Sequence, residues 1–317
     1  MLFLNGKVEC QKRDRQLGSN FLLRDLVRRT LKILGRLYLL PSGQHRLGSL
    51  WIVRWACQGV TLAWAGKKGN DFIYTDLTDA HGRSTHFFGC NDGKVRDVIK
   101  RIVRTGDTVL DIGANYGAYS ILAARLVGLR GNVHAFEPQL DLAVHLRRSA
   151  TANRFSHLTV HPVALSDRDG MAVLYGFAPD TGLASLTSPG SENSRTPVNV
   201  PIRRSENLFR ELGLTSIRLV KIDTEKHEDR VLRGAEAFLR QHPADYILFE
   251  YGDLSLPFWE APVIFHLRDM GYTRIYEIPR TLLRTSVRLL SPGANPGKLT
   301  LNFLAQHVSV KGAVLAR

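Results

Sequence analysis

The sequence predicts an α/β fold in which helices cover both faces of a mostly parallel sheet. Strand and helix patterns alternate from about residue 60 onward, as they do in successive βαβ units. At residues 108–117 an apolar strand runs into a glycine-containing turn and then a helix, a layout typical of nucleotide sites. The excess of basic residues lies outside this alternating part, at the two ends of the chain.

The composition is that of a folded protein with a sizeable core. The chain of 317 residues is 44% hydrophobic and 23% charged, which excludes wholesale disorder. Its three cysteines, Cys10, Cys57 and Cys90, are too widely spaced for a disulfide framework or a cysteine zinc site, and they fit a reducing compartment. No uncharged apolar run reaches the roughly 18 residues of a membrane span. We therefore expect a cytoplasmic protein.

The net charge of +14 is unevenly distributed. Residues 1–60 contain 11 basic and 3 acidic residues, and residues 278–317 contain 6 basic residues and no acidic ones. The middle of the chain holds 26 residues of each sign and is neutral. A neutral middle indicates that the central site is not built to hold a polyanion, although the ends can contact one.

Residues 19–40 predict an amphipathic helix with a basic stripe. The cations recur at every fourth position: Arg24, Arg28, Lys32 and Arg36. We expect the helix to pack its apolar side on the main domain and to leave its cationic face in water. The alternative is peripheral contact of this helix with an anionic membrane surface, at the inner face of the membrane. We expect Trp51 and Trp55, which follow this helix, to be packing residues.

The elements after this helix follow in order. We expect a basic helical extension over residues 1–58 and one domain over residues 59–317. Two strands joined by a turn at residues 67–70 come first, and a helix at residues 94–104 follows. Seven segments then predict the strands of the main sheet: TVLDIGA, NVHAFEP, LTVHPVALS, IRLVKIDTE, YILFEYG, TRIYEIP and LTLNFLAQH. The segments MAVLYGF and VNVPIRR predict an inserted hairpin around the loop 178–197.

The turn after the first main strand predicts the type of cofactor. Gly113 and Gly117 have the spacing G-x-x-x-G, which differs from the G-x-G-x-x-G of dinucleotide folds. The carboxylate of Asp111 would repel a pyrophosphate but attract a ligand ammonium, which favours S-adenosylmethionine. Glu137 ends the next strand, where an acid binds ribose hydroxyls. Asp167 follows the third strand and is placed to accept a hydrogen bond from the adenine amino group.

These segments resemble the FkbM family of S-adenosylmethionine-dependent methyltransferases. The resemblance rests on GDTVLDIGANYGAYS, VHAFEP, PVALSDRDG, LVKIDTEKHEDRVLRGAEAFL and ILFEYG, and it covers roughly residues 60–280. It implies a Rossmann-like class I fold with a seven-stranded sheet. It also implies methylation of hydroxyl groups on sugars of glycans or on natural products. The residues expected to hold the cofactor are Asp111, Gly113, Asn115, Gly117, Glu137, Ser166 and Asp167.

One position departs from the family pattern. The motif usually reads KID-x-EGHE, and Lys226 stands here where the family has glycine. Because lysine tolerates a positive φ poorly, we expect the turn either to be helical or to be shifted.

The candidate reaction site follows the fourth strand. Asp223 and Glu225 share a face if that strand continues, His227 comes next, and Glu250 ends the fifth strand. We expect direct base catalysis, by His227 or by a carboxylate of raised pKa. The alternative is Mg²⁺ held by Asp223, Glu225 and Glu250, which we do not expect. A structural role is a further alternative, in which Glu228 caps the next helix.

Two other functions compete with methylation of a small hydroxyl acceptor. RNA methylation is favoured by the basic ends. It is opposed by the neutral middle, by the lack of an N-P-P-Y-type loop and by the lack of an aromatic platform for bases. The other alternative is a noncatalytic module that binds S-adenosylmethionine or a glycan. The sequence does not name the acceptor, because acceptor specificity depends on loops.

Overall fold

The structure is a computed structural model that places most of the chain. It describes residues 21–37, 49–60, 63–67, 71–177, 180–187, 197–252, 256–279, 285–297 and 300–312. The α-helices of these residues are α1 (Phe21–Leu37), α2 (Trp51–Cys57), α3 (Ala80–Phe88), α4 (Gly93–Ile102), α5 (Ala118–Val127), α6 (Leu140–Ala152), α7 (Ser205–Glu211), α8 (Glu228–Gln241) and α9 (Pro262–Asp269). Residues 68–70 of the predicted turn at 67–70 lie outside the described residues. So do residues 178–179 and 188–196 of the predicted loop 178–197.

The β-strands form one large sheet and two smaller ones. The strands are β1 (Ala63–Lys67), β2 (Asp71–Thr75), β3 (Thr108–Ile112), β4 (Asn132–Phe136), β5 (Leu158–His161), β6 (Ala164–Ser166), β7 (Gly170–Phe177), β8 (Asp180–Ser185), β9 (Val198–Arg204), β10 (Leu219–Ile222), β11 (Tyr246–Glu250), β12 (Arg274–Glu277), β13 (Arg288–Leu289) and β14 (Asn302–Gln306).

The large sheet confirms the predicted α/β fold. Its strand order is β13-β12-β14-β11-β10-β3-β4-β5. Strands β11, β10, β3, β4 and β5 are parallel, and β14 lies antiparallel between β11 and β12. The seven predicted strands are all present, and the two-residue strand β13 adds an eighth at the edge. Because the five parallel strands point the same way, the loops that carry the predicted site residues meet at one edge of the sheet.

Helices cover both faces of this sheet because successive strand residues point to opposite sides. Leu110 and Ile112 of β3 pack in a core with helices α7, α8 and α9. Val109 of the same strand packs in a second core with helices α4, α5 and α6. Both layers are continuous and apolar, as expected for parallel strands buried on both faces.

The inserted hairpin is confirmed, with more strands than predicted. Strand β7 pairs antiparallel with β9, so that Gly170 lies opposite Ile202. Strand β8 adds to the free edge of β7, and β6 pairs with β9 on the other side. The segment 180–187, predicted as loop, therefore contains a strand that reaches back over the main sheet's carboxyl edge.

The N-terminal helices pack against the main domain in the orientation opposite to the predicted one. Arg24 and Arg28 point inward, where their guanidinium groups donate to Gln58 Oε1 (3.1 Å) and to the carbonyl oxygen of Ala56 (3.2 Å). Leu22 is 79% exposed. The prediction that the apolar side is packed and the cationic face solvated is therefore wrong. Inward arginines are stable here because they donate hydrogen bonds to these acceptors. Leucine side chains in the same place would leave the acceptors unpaired.

The tryptophan prediction is half correct. Trp55 is partly buried, and the guanidinium carbon of Arg24 lies 5.1 Å from the centre of its ring. Trp51 is 76% exposed. Residues on both sides of the predicted boundary at 58 share one small core, which includes Val53, Leu77 and Phe87. Among the helices that the structure describes, none has the length and hydropathy needed to cross a lipid bilayer.

We predict that Gly113→Ala lowers the free energy of unfolding by at least about 3 kcal/mol. Gly113 has φ of 78°, and a Cβ there would lie 1.9 Å from the carbonyl oxygen of Asp223. Gly106→Ala is the matched control, because Gly106 has φ of 89° but no atom within 4 Å of an added Cβ. The control should lose about 1–2 kcal/mol, from backbone strain alone. Urea unfolding measures both, and equal losses would contradict the packing argument.

Candidate active site

A cleft opens at the carboxyl edge of the main sheet. Its empty volume is about 840 Å³. The floor is formed by the loops that follow β3, β4 and β10, and the opposite wall by α3 and β8. Six predicted site residues line it: Gly113, Asn115, Glu137, Asp223, Glu225 and His227. The predicted residues outside its lining are Asp111, Gly117, Ser166, Asp167 and Glu250.

The loop after β3 is held by the acid at the end of β4. Glu137 is buried, and its two carboxylate oxygens accept hydrogen bonds from the backbone N–H groups of Asn115 (2.7 Å) and Gln139 (2.9 Å). Asn115 takes a positive φ of 51°, which asparagine tolerates better than most residues. Burial raises the pKa of Glu137 to about 7, although the two backbone bonds oppose this rise.

Gly117 contributes to packing rather than to the cleft. It precedes α5 with φ of 79°, and a Cβ at this position would lie 2.0 Å from the Cδ1 atom of Leu146. The glycine therefore lets α6 approach the start of α5. Its predicted contact with the cofactor stays a prediction.

The carboxylate of Asp111 is buried within the sheet, behind the cleft. It accepts a hydrogen bond from Ser120 Oγ (2.5 Å), and its Oδ1 atom lies 3.4 Å from Lys221 Nζ. The ammonium beside Asp111 in this structure thus belongs to the protein. The predicted contact with a ligand ammonium stays a prediction.

Lys221 is a site residue that the sequence analysis missed. It lies directly opposite Asp111 in the register of β10 and β3, and it is 3% exposed. Its Nζ atom lies 3.1 Å from Asp223 Oδ2 and 5.1 Å from the ring centre of Tyr119. Burial opposes the charge, but Asp223 and Asp111 outweigh it and hold the pKa of Lys221 above its usual value. A lysine inside the apolar run LVKI was the available signal, because lysine is rarely buried unless it is paired.

Three predicted carboxylates converge beside Lys221. Ligand atoms of Asp223, Glu225 and Glu250 all lie within 4.8 Å of one another. The reason differs from the predicted one, because β10 ends at Ile222 and the chain then turns. Asp223 and Glu225 line the cleft, whereas Glu250 is outside its lining.

The charges of this cluster are unequal. Burial raises the pKa of Glu250 well above its usual value, and the negative charges of Asp223 and Glu225 raise it further. Burial also disfavours the charge on Asp223, but Lys221 outweighs it and lowers the pKa of Asp223. Asp223 therefore keeps its charge to a lower pH than an ordinary aspartate, whereas Glu250 keeps its proton to a higher pH than an ordinary glutamate.

The turn that carries Lys226 is left-handed, so the predicted change of backbone is wrong. Glu225 has φ of 53° and Lys226 has φ of 75°, the region that glycine occupies most easily. Ser185 at the end of β8 donates a hydrogen bond to the carbonyl oxygen of Glu225 (2.5 Å). The side chain of Lys226 is exposed to solvent, so it does not clash with the protein in this conformation. The left-handed backbone at a lysine costs about 1–2 kcal/mol of folding free energy.

His227 and Glu228 are engaged with neighbouring residues. His227 Nε2 lies 3.0 Å from Ser166 Oγ, and burial lowers the pKa of His227 to about 4, so that the ring is neutral at pH 7. Glu228 accepts hydrogen bonds from the backbone N–H (2.8 Å) and the Oγ1 (3.0 Å) of Thr224. Glu228 therefore closes the turn at the start of α8, which agrees with the structural role considered for it.

Asp167 forms an ion pair away from the cleft lining. Its carboxylate contacts the guanidinium of Arg233 in α8 and accepts a hydrogen bond from Ser166 Oγ (3.1 Å). Partial burial opposes the charge, but these bonds hold the pKa of Asp167 below its usual value. The predicted contacts of Ser166 and Asp167 with the cofactor stay predictions.

The wall opposite the carboxylates is a second feature that the sequence analysis missed. It contains His81 and Thr85 of α3. This helix was not predicted from the sequence because many of its residues are small or polar. Asp79 caps this helix at Gly82 N (2.7 Å) and also accepts from the backbone N–H (2.7 Å) and Oγ1 (3.0 Å) of Thr181 in β8. A Cβ on Gly182 would lie 1.9 Å from the ring of His81, so a glycine is needed where β8 passes this histidine.

A sequence profile described as the Methyltransferase FkbM domain matches residues 111–274, just over half of the chain. The matched segment contains the floor of the cleft, from Gly113 to His227. The chain belongs to the FkbM methyltransferase family. The predicted resemblance is thereby confirmed, and S-adenosylmethionine is the cofactor.

Individual relatives of this FkbM-family chain are distant. The 31-O-demethyl-FK506 methyltransferase FkbM of Streptomyces tacrolimicus is 31% identical, over 42% of this chain and 61% of that protein. The 2-O-methyltransferase NoeI of Sinorhizobium fredii (strain NBRC 101917 / NGR234) is 27% identical, over 53% of this chain and 72% of that protein. The crystal structure of methyltransferase FkbM from Methylobacillus flagellatus KT has a TM-score of 0.38 and 12% identity, over 70% of this chain and 52% of that chain.

The residues of the cleft fit S-adenosylmethionine. Among the described lining residues, the acids Glu137, Asp223 and Glu225 outnumber the one lysine, Lys221, which is already paired. Such a lining suits a ligand that carries a sulfonium and an ammonium, and it does not suit a diphosphate. Glu137 offers buried acceptor oxygens for ribose hydroxyls, and the loop 113–117 would hold the cofactor beside it.

We predict that the affinity for S-adenosylmethionine rises with pH through about 7, the pKa of Glu137. The ionised carboxylate must accept from both the backbone and the ribose. At pH about 6 one tenth of it is ionised, so binding should be about tenfold weaker than at pH about 8. Calorimetric titration at both pH values measures this ratio. Glu137→Gln should bind more weakly and independently of pH, and an unchanged pH dependence in this variant would contradict the assignment.

Proposed function

We propose that this FkbM-family chain is an O-methyltransferase that methylates a hydroxyl group of a sugar, a glycan or a similarly polar natural product. Two similar proteins support oxygen as the methyl acceptor, since their names describe a 31-O-demethyl substrate and a 2-O-methyl transfer. The convergence of Asp223, Glu225 and Glu250 at the cleft carries the proposal. Hydroxyl methylation requires removal of a proton, and carboxylates in a cleft can accept it.

Asp223 is the proposed proton acceptor. S-adenosylmethionine supplies the methyl group from its sulfonium, and the protein has to orient the hydroxyl and receive its proton. Asp223 lines the cleft and is kept ionised by Lys221, whereas Glu250 is outside the cleft lining and its burial raises its pKa. His227 is neutral but already bonded to Ser166, so its role is to position the turn.

The opposite wall supports a polyhydroxylated acceptor. Besides His81 and Thr85, it presents Asn91 and Thr181 to the cleft. Within the described residues, Asn91 Oδ1 is buried and has no hydrogen-bond partner. Because a buried amide oxygen without a partner is costly, a hydroxyl donor from the acceptor would stabilise it. The cleft thus combines a cofactor floor with a polar wall suited to sugars.

The proposal is tested by methyl transfer from isotopically labelled S-adenosylmethionine to a panel of oligosaccharides and polyhydroxylated macrocycles. Mass spectrometry of the products locates the methyl group. Label on a hydroxyl oxygen is the expected result. Transfer to RNA, or to nitrogen atoms of the acceptors, would overturn the proposal. Cofactor binding with no transfer to any member of a broad panel would favour a binding module instead.

We predict that Asp223→Asn lowers kcat for the acceptor found in this panel by about 10²- to 10⁴-fold. The amide keeps the shape of the side chain but cannot accept the proton. Affinity for S-adenosylmethionine should fall much less than kcat does. Glu236→Gln on α8 is the matched control, because this carboxylate pairs with Arg240 away from the cleft. A loss of cofactor affinity that matches the loss of kcat would assign Asp223 to binding.

We predict that EDTA leaves turnover unchanged. The ligand atoms of the carboxylate cluster are close enough for Mg²⁺, but Lys221 already places a positive charge 3.1 Å from Asp223, and burial beside other carboxylates disfavours the charge on Glu250. Turnover is measured after incubation with EDTA and again after an excess of MgCl₂ is added. Loss of activity with EDTA and its recovery with magnesium would instead assign Asp223, Glu225 and Glu250 as metal ligands.

A further inference from the structure

The outward side of α1 is apolar. Leu22 is 79% exposed and Leu26 is 60% exposed, and three more exposed residues continue the same arc of the helix: Leu23, Ile33 and Leu34. At 100° per residue these five positions span about 120° of the helix circumference. A row of this length on a single helix differs from the scattered apolar residues of an ordinary surface.

Helix α2, which packs against α1, adds apolar surface of its own. Trp51 is exposed, together with its neighbours Leu50 and Ile52. We call the exposed apolar residues of both helices, from Leu22 to Leu34 and from Leu50 to Ile52, the α1–α2 face. Exposed tryptophan and leucine on paired helices are typical of surfaces that are covered when the protein functions.

The α1–α2 face is bordered by cations. On α1, Arg29 lies about 20° and Lys32 about 80° beyond one edge of the apolar arc, and Arg54 is exposed on α2. Residues 21–37 and 49–60 contain six basic residues and a single acid, Asp25, which pairs with Arg29 (2.6 Å). The two helices therefore carry a net charge of +5. Such a surface attracts an anionic partner.

We propose that the α1–α2 face binds the surface of a lipid bilayer that contains anionic phospholipid. The leucines and Trp51 would enter the boundary between headgroups and acyl chains, while Lys32 and Arg54 would contact lipid phosphates. Contact with a second copy of this chain is disfavoured, because an isologous interface would bring together two pairs of helices that each carry a net charge of +5. The inward Arg24 and Arg28 leave the apolar arc free for this contact.

The proposed membrane surface lies behind one wall of the cleft. Leu31 of α1 packs on the small core that includes Phe87 and Phe88 at the end of α3. The same helix α3 presents His81 and Thr85 to the cleft. A docked bilayer would thus contact α1 and α2, which pack behind the wall proposed for the acceptor. It would not contact the floor of the cleft.

The experiment is cosedimentation of the full chain with vesicles. Wild-type protein should sediment with vesicles of phosphatidylcholine and phosphatidylglycerol, and much less with phosphatidylcholine alone. The variant Leu22→Ser/Leu26→Ser/Ile33→Ser should reduce the partition coefficient at least about tenfold. Lys32→Glu/Arg54→Glu should reduce it at least about tenfold on the anionic vesicles. Because all five side chains are exposed, these changes should not alter thermal unfolding or cofactor binding.

The matched control is Leu129→Ser/Phe265→Ser/Val308→Ser, which replaces three equally exposed apolar residues elsewhere on the surface and should leave vesicle binding unchanged. Sedimentation velocity without lipid completes the test. The proposal would be overturned if wild-type protein did not sediment with anionic vesicles. It would also be overturned if the α1 triple variant bound them as strongly as wild type does. A wild-type dimer that this variant converts to a monomer would also overturn it, and would assign the face to contact between copies.

Discussion

The ion pairs of Lys221 are the interaction on which the site depends. A lysine this deeply buried is stable because two carboxylates lie beside its ammonium, that of Asp111 in β3 and that of Asp223 directly after β10. The in-register pairing of β10 with β3 places it opposite Asp111, inside the sheet. The same ammonium keeps Asp223 ionised at the cleft, so one buried charge links the sheet's interior to the group proposed to accept a proton.

The rest of the site is arranged around this charge through backbone contacts. Gly113 allows the loop after β3 to lie against the carbonyl oxygen of Asp223. The left-handed turn at Glu225 and Lys226 brings a third carboxylate back toward the cluster, and Ser185 of β8 holds that turn. The four-stranded sheet that contains β8 therefore supports the turn at Glu225 and Lys226 as well as covering it. The cost of a left-handed lysine is offset by this contact.

The N-terminal helices illustrate how tertiary contacts override a helical pattern. Periodicity correctly predicts that α1 is amphipathic, but both of its sides can be packed, because arginine can bury its stem and donate to carbonyl oxygens. Arg28 reaches the carbonyl oxygen of Ala56 and Arg24 reaches Gln58. The leucines of the opposite side stay exposed: Leu22, Leu23, Leu26 and Leu34. Which side faces the protein depends on acceptors that a distant segment provides, and a local pattern contains no information about them.

The sequence by itself determined the parallel sheet, the site at its carboxyl edge, the family and the acids of the cleft, because strand alternation and the motifs from Asp111 to Glu250 are local signals. Three other features are visible only in the folded chain: Asp111 faces Lys221, Glu250 is outside the cleft lining, and α3 forms the second wall. Those outcomes depend on strand register and on contacts between residues far apart in the chain. Periodicity and spacing do not encode such contacts, since they describe each segment without its neighbours.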